Sequence, residues 1–178
     1  MNVGWLGTVQ HSENGRTPAE AVSVYTSQSD FCRVFKEEMR GLYLLSLFLT
    51  ADSEEAERCF VAGLDDCIKG NPVFRGWAYA WSRRAIIMNA IRIVFSRPAN
   101  TKASTPTTHP EWKFVAESPL ASVTLLEPFE RFVFVMTLLE GYSDHECSVF
   151  LNRSRSDVVA ARTRTLQQLK VAEWQAQW

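Results

Sequence analysis

The 178-residue sequence lacks the features that mark several large classes of protein. It contains no apolar run long enough to cross a bilayer, and it does not start with the basic-then-apolar pattern of a signal peptide. A Gly-rich phosphate loop is missing, and the neighbouring Asp65 and Asp66 diverge on a helix, so they form no acid–base pair. We therefore expect a cytoplasmic protein with no membrane contact, no catalytic residue, no cofactor and no small-molecule substrate.

Cysteine is scarce and shows no metal-ligand spacing. The four cysteines form no CxxC pair and occupy apolar, helix-like stretches, so we expect buried free thiols in a reducing compartment. His145 and Cys147 lie two residues apart on a predicted helix and point to different faces, so no metal site is predicted. An excess of one charge is also missing, since the formal net charge is −1. A nucleic-acid partner would therefore have to depend on local charge.

The spacing of apolar residues predicts helices and no strand. From residue 31 to 50 these residues recur at three- and four-residue steps, the period of an amphipathic helix. A second helix is expected after Asp52, an N-cap of the capping-box type, and Gly70 lies where it should end. A third helix is predicted over residues 73–95, before Pro98.

A stretch rich in Pro, Ala, Thr and Ser divides the chain. We interpret residues 98–119 as a linker and residues 1–27 as a disordered arm, because both are poor in large apolar side chains. The linker separates helical units over residues 28–97 and 120–178. The predicted fold class is all-α, with two small helical domains joined by a linker.

The downstream unit has the proportions of a helix-turn-helix. Pro128 opens a helix, and Ser143 with Glu146 forms a capping box before a helix of two turns. A turn at Asn152 then leads into a longer helix starting near Ser154. In such motifs the first residues of the second helix reach base edges, while flanking basic residues hold phosphates. The turn and second helix carry Arg153, Arg155, Arg162, Arg164 and Lys170, opposed only by Asp157. A solvated face of a helical hairpin explains these arginines about equally well.

The upstream unit contains a second concentration of basic residues. Five arginines and no acidic residue occur between Phe74 and Arg97, interleaved with aromatic residues. Basic groups beside aromatic rings suit single-stranded nucleic acid, because the charges follow the backbone and the rings stack on bases. The alternative is that the aromatics belong to the core, and we favour this for Trp77 and Trp81, which lie four residues apart. Tyr79 and the arginines should lie off that stripe.

Both units resemble parts of one protein family. FKEEMRGLYLLSLFLTADSEEAERCFVAGLDD, followed by FRGWAYAWSRRAIIMNAIR, resembles region 2 of the extracytoplasmic-function group of sigma-70 factors. The resemblance to region 4 is more specific, and it is carried by LLEPFERF, by VMTLLEGYS and by SDVVAAR after the turn. It covers about residues 31–169. It implies a cofactor-free factor with two helical domains that binds core RNA polymerase, region 2 opening the −10 element and region 4 reading the −35 element.

The resemblance also implies functional residues by position. The predicted DNA-binding residues of the region 4-like unit are Arg153, Arg155, Ser156, Asp157, Val159, Ala160, Arg162 and Arg164. The predicted single-strand surface of the region 2-like unit consists of Arg75, Tyr79, Arg83, Arg84 and Arg92. The predicted contact with the polymerase core consists of Glu57, Arg58, Val61, Ala62 and Asp65.

Three functions are consistent with these features. The first is a sigma-type initiation factor whose partners are core RNA polymerase and promoter DNA. The second is a sigma-like interaction protein that binds a regulator such as an anti-sigma factor, favoured by the apolar Val61, Ala62 and 86–88 and by the near-neutral charge. The third is a plain helix-turn-helix regulator with an upstream sensor or dimerisation module, against which the sigma-like spacing in both halves argues.

Overall fold

A computed structural model describes residues 23–96 and 120–176, with side chains to residue 169. These residues are mostly helical and contain no strand, which confirms the all-α class. The predicted arm up to residue 22 and the whole predicted linker, residues 98–119, lie outside the described residues. The helices are α1 (Gln28–Glu37), α2 (Met39–Thr50), α3 (Ser53–Lys69), α4 (Ala78–Phe95), α5 (Pro128–Phe134), α6 (Asp144–Leu151) and α7 (Arg155–Ala176). None of the described helices has the length and apolar character needed to traverse a bilayer.

The start of the upstream unit differs from the prediction in two places. The helix predicted over residues 31–50 is divided at Glu38, whose φ of −102° and ψ of 17° depart from helical values. Residues 25–27, at the end of the predicted disordered arm, are instead held in place. Thr26 is buried and its backbone N–H donates to the carbonyl of Val73 at 2.7 Å. Composition does not indicate that this segment is ordered, because the residue that Thr26 pairs with lies 47 residues away in sequence.

Helices α3 and α4 pack closely in the upstream core. Gly63 permits the approach, since a Cβ built there would lie 2.6 Å from the Cδ1 of Ile86. One turn earlier, the Cys59 thiol donates to the carbonyl of Ile86 at 3.3 Å. Asp52 accepts from the backbone N–H of Glu55 as predicted, so the start of α3 is confirmed. This packing fixes the orientation of α4, which carries the basic and aromatic residues.

The downstream unit is built around α5, which starts with Pro128 at its first turn as predicted. Phe132, Val133 and Met136 are fully buried there, as is Val158 of α7. A π-helical turn over Val135–Leu139 continues α5. This core sets the angle between α5 and the two helices that follow it.

The two units share a continuous core across the residues that the structure describes. Arg131 of α5 is buried and donates to the carbonyls of Leu49 at 3.1 Å and Thr50 at 3.4 Å, at the end of α2. The rings of Phe95 and Phe132 lie 5.2 Å apart. The carbonyls at a helix C-terminus have no partner within the helix, so Arg131 satisfies groups that α2 cannot.

Candidate nucleic-acid interface

The predicted helix-turn-helix consists of α6, a short turn and α7. Ser143 and Glu146 form the predicted capping box at the start of α6. Asn152 adopts the left-handed conformation, with φ 50° and ψ 51°, and reverses the chain. The Ser154 hydroxyl accepts from the backbone N–H of Asp157 at 3.1 Å and donates to its carboxylate at 2.6 Å. The carboxylate also accepts from the backbone N–H of Ser154 at 3.3 Å. The bonds from the Ser154 hydroxyl and backbone N–H lower the pKa of Asp157, so its charge complements the N-terminus of α7.

One face of α7 packs on the core and the other is open to solvent. Val158, Ala161 and Thr165 are fully buried. Most of the predicted DNA-binding residues lie on the open side, with Arg162 half-buried at its edge. The exposed members of the set are Arg153, Arg155, Ser156, Asp157, Val159, Ala160 and Arg164. The first two turns of α7 therefore present a continuous surface of the size that fits a major groove.

Intramolecular contacts engage several arginines at this surface. Arg162 pairs with Asp144 at 2.7 Å, and Arg164 pairs with Glu130 at 2.8 Å. The Arg153 guanidinium lies 5.9 Å from the centre of a phenylalanine ring on α5. Arg153 and Arg164 flank a shallow cleft of about 340 Å³. The carboxylate of Asp157 lines the same cleft, so a phosphate oxygen there would meet two guanidinium groups and one negative charge.

Trp77 and Trp81 lie on the surface, so their predicted place in the core is wrong. Trp77 is 60% exposed and Trp81 is 40% exposed. The core face of α4 is instead the stripe next to them, which begins with Ala78 and Ser82. Both stripes repeat with the same helical period, so the period alone does not identify the core face. The larger side chains favoured the tryptophan stripe in the prediction. The aromatic residues are therefore available for contacts outside the chain.

A groove of about 420 Å³ runs between the end of α3 and this face of α4. Trp81, Arg84 and Met88 line it from α4. The Arg84 guanidinium carbon lies 5.9 Å from the Trp81 ring centre. Arg92, at the far end, pairs with Asp66 at 2.6 Å. The groove thus combines an aromatic ring, a thioether, two cations and the carboxylate of Asp66, so a flat base can stack there, while a phosphate has to displace the carboxylate from Arg92.

Another side of α4 faces the downstream unit. Arg83 makes a bidentate contact with Glu140 and donates to the Tyr79 hydroxyl at 2.9 Å. The hydrogen bonds to Glu140 raise the pKa of Arg83 further above its already high value. The Arg84 guanidinium carbon lies 4.4 Å from the ring centre of Phe150 on α6. Arg83 and Arg84 therefore belong both to the predicted single-strand surface and to the contact between units.

The predicted polymerase contact lies on the outer side of α3. Glu57, Arg58, Val61 and Asp65 are exposed, whereas Ala62 is half-buried. Val61 leaves 58% of its surface open between charged neighbours. These residues share a helical face that points away from the buried stripe of α3, so the prediction stays geometrically consistent.

Sequence reasoning missed two parts of this interface. Tyr25 stacks on Phe74, and no local pattern indicates that contact because the residues are far apart in sequence. The acidic partners Glu130 and Glu140 were also missed, since Glu130 lies 34 residues before Arg164 and Glu140 comes from the other unit than Arg83. Together with Asp30 and Asp66, which pair with Arg75 and Arg92, they neutralise much of the basic surface.

Comparison with protein-family models gives no match for this chain. A search of curated proteins also finds no significant relative. The geometry described above is therefore the basis on which a function can be argued.

Proposed function

We propose that this chain is a sigma-type transcription initiation factor, which binds core RNA polymerase and directs it to promoter DNA. The observation that carries the proposal is the exposed aromatic and basic face of α4 in the same chain as a capped helix-turn-helix. Two tryptophans left in solvent beside arginines are characteristic of a binding surface. A plain helix-turn-helix regulator would not need that second surface.

In this proposal α7 reads duplex DNA at the −35 element. Its first turns enter the major groove, where Arg155 and Ser156 reach base edges. Arg153 and Arg164 face the phosphates that flank the groove. The pair between Arg164 and Glu130 is exposed on the arginine side only; Glu130 is 12% exposed, so a phosphate that replaces it leaves a largely buried carboxylate without its cation, at a cost.

The α4 surface captures the opened strand of the −10 element. An unpaired base enters the groove beside Trp81, and Arg84 and Arg92 face the backbone. Arg83 contributes only after its contact with Glu140 is released, because that contact occupies the Nε and Nη2 donors while Nη1 donates to the Tyr79 hydroxyl. The outer face of α3, with Val61 at its centre, contacts the polymerase.

A sigma-like interaction protein that binds a regulator is the second candidate. The ion pairs favour it, because acidic side chains of the same chain already satisfy much of the charge that would face DNA. A protein that no longer binds DNA has no need to keep these cations unpaired. The exposed Val61 on α3 fits a protein contact under either proposal.

Transcription with core polymerase from the same source and genomic DNA fragments separates the candidates. Specific initiation that requires this chain supports the sigma-type factor. Stable association with core without initiation supports the interaction protein, and DNA binding without core association supports a plain regulator. The promoter sequence need not be specified in advance, since the fragments that yield transcripts identify it.

Two substitutions on α7 test the duplex contact directly. Replacing Arg155 and Arg164 by alanine should weaken binding to a promoter fragment found in that assay. It should also reduce the slope of log affinity against log salt by about 1 for each phosphate that is no longer neutralised. Lys36→Ala is the matched control for each of the two substitutions made singly, because it removes one positive charge from an exposed site at the end of α1. Equal effects of the α7 substitutions and the control would contradict the assignment.

A further inference from the structure

A cleft of about 500 Å³ lies between the two helical units, at the side of α4 that faces the downstream unit. Its lining from α4 consists of Tyr79, Ala80 and Arg83. Its lining from the downstream unit consists of Leu139, Glu140, Gly141, Tyr142 and Glu146. This volume is typical of sites for small molecules, and such sites occur preferentially where two domains meet. Only Tyr79 and Arg83 also belong to the predicted single-strand surface.

The backbone of the downstream wall has two special features. The π-helical turn Val135–Leu139 ends at the cleft, and π-helical turns are frequent at functional sites. Gly141 then adopts a φ of 73°, which a residue with a side chain rarely does. One residue later, the N–H of Tyr142 donates to the carbonyl of Met136 at 2.9 Å. The backbone thereby brings Leu139 and Tyr142 to the same cleft.

One pair of opposite charges in the lining is engaged within the chain. The side chain of Glu140 is 5% exposed, and its carboxylate receives the Nε and Nη2 groups of Arg83. The Nη1 group of Arg83 donates to the Tyr79 hydroxyl at 2.9 Å. The charges of this pair cancel, so a ligand meets the other polar groups of the cleft.

Two polar groups of the lining are still open to a ligand. The Oε2 atom of Glu146 accepts from the backbone N–H and the hydroxyl of Ser143, whereas its Oε1 accepts no hydrogen bond from the described residues. The Tyr142 hydroxyl is likewise without a hydrogen bond in the described part of the chain, and burial raises its pKa. Hydrogen bonds with Ser143 lower the pKa of Glu146, so this carboxylate stays charged and gives the lining its uncompensated negative charge.

We propose that this cleft binds a small organic cation, as a ligand and not as a substrate. The ligand is a primary ammonium group on a short hydrocarbon chain, as in a diamine or polyamine. The ammonium donates to Glu146 and to the Tyr142 hydroxyl, and the tyrosine rings of the two walls attract its charge. Leu139 covers the hydrocarbon, and the last carbonyls of the helix that ends there favour a cation. An anion would instead meet the carboxylate of Glu146.

Residues of both units line the cleft, so the bound cation would stabilise the packed arrangement in which Arg83 stays with Glu140. The binding itself does not rest on the proposed function, because neither DNA nor polymerase takes part in it. If the proposed function holds, the cation would keep Arg83 from single-stranded DNA.

Titration of the full, ¹⁵N-labelled chain with putrescine at constant ionic strength tests the site, with proton–nitrogen correlation NMR as the readout. The amide signals of Gly141, Tyr142 and Glu146 should shift and saturate, with a Kd of about 0.1–1 mM for a ligand of this size. Butane-1,4-diol is the matched control ligand, because it has the same number of non-hydrogen atoms and no charge. It should cause no saturable shift at the cleft.

Glu146→Gln removes the charge and keeps the helix cap, since glutamine also serves at this position of a capping box. It should weaken putrescine binding by about 5- to 20-fold, between the effect of an exposed ion pair and that of a hydrogen bond to a charged group. Tyr142→Phe keeps the ring and loses the hydroxyl, and it should weaken binding by about 2- to 10-fold. Glu37→Gln is the matched control, because it removes the same charge from an exposed site on α1. It should leave the Kd within about twofold, since salt screens a distant surface charge.

The inference is overturned if putrescine gives no saturable shift at the cleft, or if butane-1,4-diol gives the same shifts. It is also overturned if Glu146→Gln and Glu37→Gln weaken binding equally, which would mean a general attraction of a cation to the protein. Circular dichroism melting verifies that each variant is folded, and Tyr142→Phe keeps the test decisive if Glu146→Gln does not fold. The titration needs no promoter and no polymerase, so its failure leaves the sigma-type function standing, and failure of the transcription assay leaves the cation site standing.

Discussion

Replacing Arg131 by methionine tests whether the two helical units are stabilised by their contact. Arg131 is only 6% exposed, and it lies between the downstream helix α5 and the end of α2. Its guanidinium donates to the carbonyls of Leu49 and Leu126 at 3.1 Å and of Thr50 at 3.4 Å. Methionine keeps the apolar part of the side chain and removes every donor. The substitution therefore isolates the polar contact from the packing.

The expected loss follows from the number and quality of these hydrogen bonds. A hydrogen bond to a charged group contributes roughly 1.5–3 kcal/mol, and contacts that share one side chain do not add fully. Two of the bonds that Arg131 donates are well formed, and two are long, the one to Thr50 and one to the carbonyl of Thr124 at 3.5 Å. Burial of the charge also has a cost that the variant avoids. We expect the free energy of unfolding to fall by about 2–4 kcal/mol. That corresponds to a decrease in Tm of about 5–15 °C for a domain of this size.

Urea denaturation followed by circular dichroism at 222 nm measures the change. Arg33→Met is the matched control, since that side chain is 60% exposed and its pair with Asp30 should contribute less than about 1 kcal/mol. A loss for Arg131→Met no larger than the control would refute the argument. A transition in which only part of the helical signal moves would contradict the shared core, because a continuous core predicts that both units shift together.

Three further predictions concern packing, capping and thiol burial. In urea denaturation, Gly63→Ala should lower the free energy of unfolding by about 1–3 kcal/mol. Gly41→Ala is the control and should be neutral or stabilising, because the added Cβ would lie 3.8 Å from its nearest neighbouring atom. Hydrogen bonds with Ser143 lower the pKa of Glu146. The negative charge of Glu146 therefore stabilises the fold above the unfolded pKa of about 4.5, and this stabilisation is lost as the pH falls through the lower folded pKa. Ser143→Ala should therefore flatten the acid limb of a plot of Tm against pH, and an unchanged limb would contradict the cap. At pH 8, iodoacetamide followed by mass spectrometry should modify the exposed Cys32 and spare the other thiols, and rapid labelling of a spared thiol would contradict its burial. Burial raises the pKa of those thiols, to about 12 in Cys59 and to about 11 in Cys67 and Cys147.

The features that sequence predicted correctly are local ones. Asp52 and Ser143 start helices because a short polar side chain can accept from a backbone N–H three residues later, and that chemistry is complete within four residues. Pro128 begins α5 because its missing N–H has no acceptor at a helix start. The turn at Asn152 follows from the same local rules.

The features that sequence did not predict depend on distant residues. Helical period placed Trp77 on a stripe but could not say which of two adjacent stripes faces the core, since α2 and α3 make that choice. The position of Tyr25 is fixed by an antiparallel bridge to Phe74. The burial of Arg131 depends on carbonyls 81 and 82 residues away. These contacts become visible only when the helices are placed together.

Acidic side chains of the same chain pair with the surface arginines. A surface rich in arginine is therefore compatible with a formal net charge of −1. The pairs differ in the cost of exchanging a carboxylate for a phosphate. Arg92 and Asp66 are 58% and 41% exposed, so water already competes for both and the exchange costs little. Glu140 is only 5% exposed, and removing Arg83 from it leaves a buried carboxylate without its cation. Under the proposed function, DNA would therefore engage Arg92 while the two units stay packed, whereas Arg83 would become available only when they separate.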